Sequence, residues 1–135
     1  MIKVAFVGPP DSGKTTLAKS VSSYFNIEKY NVAYIDEYAR EFITKTHSYP
    51  SSVSEQFFVF EQQRRKEYIP CNILFTDSPT FLAYVYAIRL CDYTSAKVRL
   101  ILSKLYEEVL KEIKRYDLVL FLETFREPVK DGVRD

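Results

Sequence analysis

Residues 8–16 read Gly-Pro-Pro-Asp-Ser-Gly-Lys-Thr-Thr and directly follow the near-continuous apolar run over 2–7. The spacing of Gly8, four residues, then Gly13-Lys14-Thr15 is that of a phosphate-binding loop, which has a mechanism only where a strand enters and a helix leaves. Val4, Ala5, Phe6 and Val7 predict the strand, and Leu17, Ala18 and Val21 open a helical pattern. Glycine lets the backbone take turns closed to other residues, so that successive N–H groups point inward as a nest for phosphate oxygens. Gly8, Pro9, Pro10, Asp11, Ser12, Gly13, Lys14, Thr15 and Thr16 are therefore expected to cradle a nucleotide, with Lys14 reaching the β- and γ-phosphates and the Thr15 hydroxyl coordinating Mg²⁺. The chain has three glycines, and two stand at the required positions. A chance match in such a chain is on the order of one in a hundred at average glycine usage.

At 135 residues the chain is expected to be one domain over 1–135, short for a complete kinase-like fold. Hydrophobic content of 47% and charged content of 27% are those of an ordinary soluble globular protein. The net charge of +1 gives no electrostatic argument for nucleic acid or an anionic membrane as partner, so anion binding must be local. Cys71 and Cys91 lack metal-ligand spacing and read as free, buried thiols of a reducing compartment. The start has no basic segment ahead of a signal-like stretch, and no run reaches the roughly 18 apolar residues of a membrane span. A cytoplasmic location is the resulting expectation.

Apolar runs predict strands over 2–7, 32–35, 72–77 and 117–122. Between them, helical spacing predicts helices over 15–25, 37–45, 52–68, from Pro79 onward, and over 95–115. Ser52 with Glu55 is a capping-box signature. Such alternation implies an α/β fold, a three-layer sandwich around a central parallel sheet. Ligands of such sheets lie beyond the carboxyl ends of the strands. Gly8, Asp36 with Glu37, Asp77 with Ser78, and Glu123 should therefore converge.

Asp77 is the natural second anchor for Mg²⁺, while Asp77 or Ser78 could equally cap the helix ahead of Pro79. Asp36 and Glu37 stand where a carboxylate could take a proton from an acceptor hydroxyl, or could cap and pair locally, with Glu37 preferred. Arg40, one turn beyond, could bind an acceptor phosphate or sugar, or pair with Glu37. Gln56, Gln62, Gln63, Arg64 and Arg65 could supply base recognition, but read mainly as a solvated polar face. The cluster Lys130-Asp131-Gly132-Val133-Arg134 could bring an arginine over the transferring phosphoryl group or be a basic terminus.

Taken in this order, the loop, Asp36-Glu37-Tyr38-Ala39-Arg40-Glu41, Phe75-Thr76-Asp77-Ser78 and the 130–134 cluster give the chain a resemblance to the P-loop nucleoside and nucleotide kinase-like ATPases. Within them it is most similar to the nicotinamide ribonucleoside kinase domain group and related AAA-type ATPases. The resemblance implies that Lys14 and Thr15 hold MgATP, Asp77 supports the metal, Glu37 and Arg40 border the acceptor site, and Arg134 is a lid arginine. It also implies a further strand and helix after the lid, which this sequence lacks. The expected activity is transfer of the ATP γ-phosphate to a nucleoside, such as nicotinamide riboside, or to a nucleoside monophosphate. A regulatory ATPase or switch without a small-molecule acceptor is the alternative, and the absence of an Asn-Lys-x-Asp motif disfavours a GTPase.

Overall fold

The structure, a computed structural model, describes residues 1–9 and 12–123. Its element order is β1 (Ile2–Val7), α1 (Lys14–Ile27), β2 (Val32–Ile35), α2 (Tyr38–Thr46), α3 (Val53–Lys66), β3 (Ile73–Thr76), α4 (Leu82–Leu90), α5 (Ala96–Ile113) and β4 (Leu118–Phe121). The strands form one parallel sheet in the order β2-β3-β1-β4. Val4 of β1 stands opposite Phe75 on one side and Leu118 on the other.

Period-two alternation distributes the layers. Val4, Phe6 and Phe75 face α1, where they pack with Ala18 and Phe25. Their neighbours face the opposite way: Thr76 hydrogen-bonds Gln63 of α3 and Glu67 at its C-terminal end, and Lys3 meets Glu67. Helices thus cover both faces, as a three-layer sandwich requires. A second apolar cluster joins α3, α4 and α5 through Val53, Phe60, Ala83, Ala87, Leu102, Leu105 and Val109. The deepest α4 positions are two alanines, while Val85 is 39% exposed. Small side chains there let α4 sit close against its neighbours.

Three local expectations need correction. Pro79 precedes the regular helix, since the turns Leu82 N–H to Pro79 C=O and Ala83 N–H to Thr80 C=O lead into α4. Neither Asp77 nor Ser78 caps it; Phe81 is the N-cap, without a side-chain bond. Cys71 and Cys91 are free but only partly buried. Among the described residues no helix is long and apolar enough to cross a membrane.

Candidate phosphate-binding and acceptor site

In the order β2-β3-β1-β4 the chain leaves β1 to one side for β2 and β3 and returns to the other for β4, so β1 and β3 flank the switch point. The crevice beyond their carboxyl ends is where such a sheet binds ligands. The loop after β1 and the Asp77-Ser78 corner after β3 meet there.

The loop is shaped by backbone demands. Gly13 is the N-cap of α1 at φ 77°, a left-handed conformation that favours glycine. Its carbonyl accepts from Leu17 N–H, and Ser12 N–H closes a turn onto Pro9 C=O. Gly8 answers to space instead: a Cβ there would lie 2.7 Å from Ser12 Oγ and 3.0 Å from the backbone oxygen of Leu122. The serine can swing away, but the other close atom is backbone, in a residue whose N–H is bonded to Val7 C=O and so held beside the end of β1. Gly8→Ala should therefore weaken equilibrium nucleotide binding about tenfold with the fold intact, overpacking being of that order. An unchanged affinity would count against the tight approach at Gly8.

Helix α1 begins with no side-chain cap and no acidic residue in its first turn. Its first N–H groups are left for an anion, with the helix dipole behind them. Thr16 lies in this first turn, and Pro9, Ser12, Gly13 and Thr16 border the same cavity. Pro10 and Asp11 lie outside the described residues.

Lys14 Nζ donates to Ser78 Oγ at 3.0 Å and lies 3.4 Å from Asp77 Oδ1. Asp77 is fully buried. Its Oδ2 accepts from Thr15 Oγ1 at 2.6 Å and from Tyr34 OH at 3.1 Å, while Oδ1 has no hydrogen-bond partner. At 3.4 Å the ammonium offsets charge there without a directional bond. Burial, reinforced by the Asp77 charge, pushes the Tyr34 phenol well above its ordinary value, so Tyr34 remains a donor. A buried carboxylate oxygen without a donor, beside a threonine hydroxyl, is the hard oxygen set that Mg²⁺ accepts. Thr15 and Asp77 fit that ion. Ser78 reaches its position with φ 130°, a strained value for a side-chain-bearing residue and one often found at functional corners.

Glu37 and Arg40 come from the β2–α2 junction. Arg40 Nη2 donates to Thr15 Oγ1 at 3.1 Å and its Nε lies 3.5 Å from Glu37 Oε2. Arg40 thus links the Glu37 carboxylate to the Thr15 hydroxyl. Both line a cavity of about 830 Å³ that opens from the phosphate loop toward α3 and α4, with Gln56, Phe60, Tyr86 and Arg89 on its far walls. The cavity is large enough for a nucleoside-sized ligand, and its lining of apolar surface with a few polar groups is that of a small-molecule site. Burial and the nearby Glu37 charge raise the Tyr86 phenol, partly opposed by Arg89.

Asp36 does not join this group: its side chain is exposed and away from the cavity wall. Glu123 is likewise exposed and does not line the cavity. Arg134 and the rest of its cluster lie outside the described residues. Gln56 and Gln63, read from sequence as a solvated face, are each 4% exposed. Gln56 donates to Pro50 C=O at 3.1 Å, which holds the α2–α3 connection against the cavity. Tyr34, Tyr86 and Arg89 carried no signal beyond their positions in a strand or on a helix, whereas Ser78 is among the converging strand ends expected from sequence.

A family described as an AAA domain matches residues 3–135. Cytidylate kinase from Desulfurococcus amylolyticus is 46% identical over 41 residues, which are 30% of this chain and 22% of that enzyme. The chain therefore aligns with only about a fifth of that relative. Among solved structures, thymidylate kinase from Ehrlichia chaffeensis aligns over 96% of this chain and 90% of its own at 16% identity and a TM-score of 0.49. Shikimate kinase from Bacteroides thetaiotaomicron aligns over 94% and 90% at 12% identity and a TM-score of 0.38.

Proposed function

The chain belongs to the AAA domain family, and on that premise we propose that it is a phosphotransferase that moves the γ-phosphoryl group of ATP to a small acceptor. The acceptor is a nucleoside, nicotinamide riboside being one candidate, or a nucleoside monophosphate. The observation that carries this reading is that Glu37 lines the same cavity as Lys14 and is joined through Arg40 to Thr15. The cavity runs from the phosphate loop past Glu37 and Arg40 to α3 and α4, which favours a second ligand beside the nucleotide over hydrolysis alone.

In this reading the loop amides and Lys14 bind the β- and γ-phosphates and stabilise charge as it spreads over the transferring group. Thr15 and Asp77 would hold Mg²⁺, which when bound neutralises charge on the same phosphates. The acceptor oxygen attacks the γ-phosphorus, the bond to the β–γ bridging oxygen breaks, and ADP leaves. When the acceptor is a hydroxyl, its proton goes to Glu37. Arg40 keeps that carboxylate oriented and offers its guanidinium to an acceptor phosphate or sugar. Arg134 is proposed, on the sequence cluster alone, to close over the phosphates.

Incubation with γ-labelled ATP and a panel of nucleosides and nucleoside monophosphates tests the assignment. Label should appear on one acceptor class. Release only as inorganic phosphate, whatever is added, would favour a regulatory ATPase instead. Glu37→Gln should bind ATP as the parent does and transfer about 10²-fold more slowly to a hydroxyl acceptor, the lower end of what a positioned base contributes.

A further inference from the structure

The side chain of Gln63 brackets Glu37 from both sides. Its Oε1 accepts from Tyr38 N–H at 2.7 Å, and its Nε2 lies 3.3 Å from Asp36 C=O. The orientation of the amide is dictated by chemistry: a backbone N–H can only donate, so the oxygen must face Tyr38. The two peptide units flanking the Glu37 Cα are thus tied to one side chain. That fixes the direction in which the Glu37 Cα–Cβ bond leaves the backbone, here at φ −68° and ψ 118°.

Glu37 is the N-cap of α2 yet makes no capping bond with its side chain. Tyr38 N–H is one of the donors that a helix start leaves without an intrahelical partner. Gln63 satisfies it from a neighbouring helix. The carboxylate of Glu37 is thereby left to the cavity and to Arg40.

Gln63 is itself held firmly. Its two N–H hydrogens are shared among Asp36 C=O, Thr76 Oγ1 at 3.2 Å and Glu67 Oε2 at 3.4 Å, all on the buried side of α3. Thr76 Oγ1 also lies 3.2 Å from Ser78 C=O, so the network reaches the corner that positions the Lys14 partner. A buried amide with every polar atom engaged has one favoured placement.

We propose that Gln63 is a positioning residue that aims the Glu37 carboxylate at the acceptor, an inference that rests on the reading of Glu37 given above. Gln63→Met keeps the length of the side chain and removes both bonds. It should lower acceptor phosphorylation by about tenfold or more while equilibrium ATP affinity stays at the parental value. Because the effect passes through Glu37, the same substitution in a Glu37→Gln background should cost little further. Amide hydrogen exchange at Tyr38, slow in the parent, should become fast.

Equal losses in the two backgrounds would mean a structural role independent of Glu37 and would overturn the proposal, as would unchanged exchange at Tyr38. If Glu37→Gln alone transfers at the parental rate, the assignment of the base fails, and the bracket is then judged on Tyr38 exchange alone. If Gln63→Met does not fold, Gln63→Glu keeps an acceptor for Tyr38 N–H and is carried through the same measurements. It should retain slow Tyr38 exchange yet lose transfer, and fast exchange in this variant would overturn the bracket.

Discussion

Lys14→Met should reduce phosphoryl transfer by about 10²–10³-fold, the effect typical of removing one preorganised donor to developing charge. Lys14 is the ammonium recorded beside both Asp77 Oδ1 and Ser78 Oγ, so its loss removes the positive charge at the end of the loop. ATP affinity should fall too, though less than the rate, because the loop amides and the start of α1 still hold the phosphates. Lys14→Arg is not a rescue: the planar guanidinium is bulkier than the point-like ammonium that fits between Asp77 and Ser78. Single-turnover transfer and equilibrium ATP binding on the same preparations check this. Parental values for both in Lys14→Met would remove the loop from the active site.

The strands were legible because each is a short, mainly apolar run, ended by the glycine of the loop after β1 and by acidic residues after the other three. β1 and β2 fall on the boundaries read from sequence, and β3 and β4 shrink by one residue at each end. Ser52 caps α3 as its motif implied, accepting from Glu55 N–H at 3.0 Å. Convergence at the sheet edge followed from the parallel arrangement, which is why Lys14, Thr15, Glu37, Arg40 and Asp77 could be named together. Sequence supplied only a slight preference for Glu37 over Asp36, because which of two adjacent residues turns toward a cavity depends on the chain's exit angle from β2. That angle is held by Gln63, contributed from a helix 25 residues further on.

Gln63 was hidden for a physical reason. A glutamine on a helix reads as solvent-facing unless something else buried needs its hydrogen bonds, and here the need arises from Tyr38, Asp36 and Thr76. Lys3, likewise hidden within the apolar run of β1, belongs to the same interior polar network. In β1, alternation puts Lys3 on the same face as the buried Ala5, so a lysine there must either leave the sheet or find an acid inside it. It finds Glu67.

Lys3→Met tests how much that pairing matters to the whole molecule, and a loss of about 3–5 kcal/mol in folding free energy is expected. Lys3 Nζ lies 2.7 Å from Glu67 Oε1, with side chains 3% and 0% exposed, and 4.4 Å from the centre of the Tyr116 ring. Tyr116 OH donates to Glu67 Oε1 at 2.8 Å, and the Thr76 hydroxyl lies 3.2 Å from Oε2. Burial raises the Glu67 carboxyl above the usual value, with Lys3 the first of the opposing influences and Tyr116 and Gln63 the next. Without Lys3 the carboxyl rises further. A carboxyl whose folded pKa exceeds its unfolded one contributes stability fully present below the unfolded value and lost as pH rises through the folded value. The deficit of Lys3→Met relative to the parent should therefore be greatest where the buried carboxyl would be ionised and shrink as pH falls toward the ordinary carboxylate range. Adding Glu67→Gln removes the uncompensated charge while keeping an acceptor for Tyr116, and should recover much of the loss. Urea unfolding of the parent, the single and the double variant across that range measures all three. A pH-independent deficit, or a double variant no better than Lys3→Met, would show that the cost is packing and not an unpaired buried carboxylate. Glu67 Oε2 also lies 3.4 Å from Gln63 Nε2 and 3.2 Å from Thr76 Oγ1, so the charge pair whose worth is measured here is in contact with the polar network that runs to Asp36, Tyr38 and Ser78.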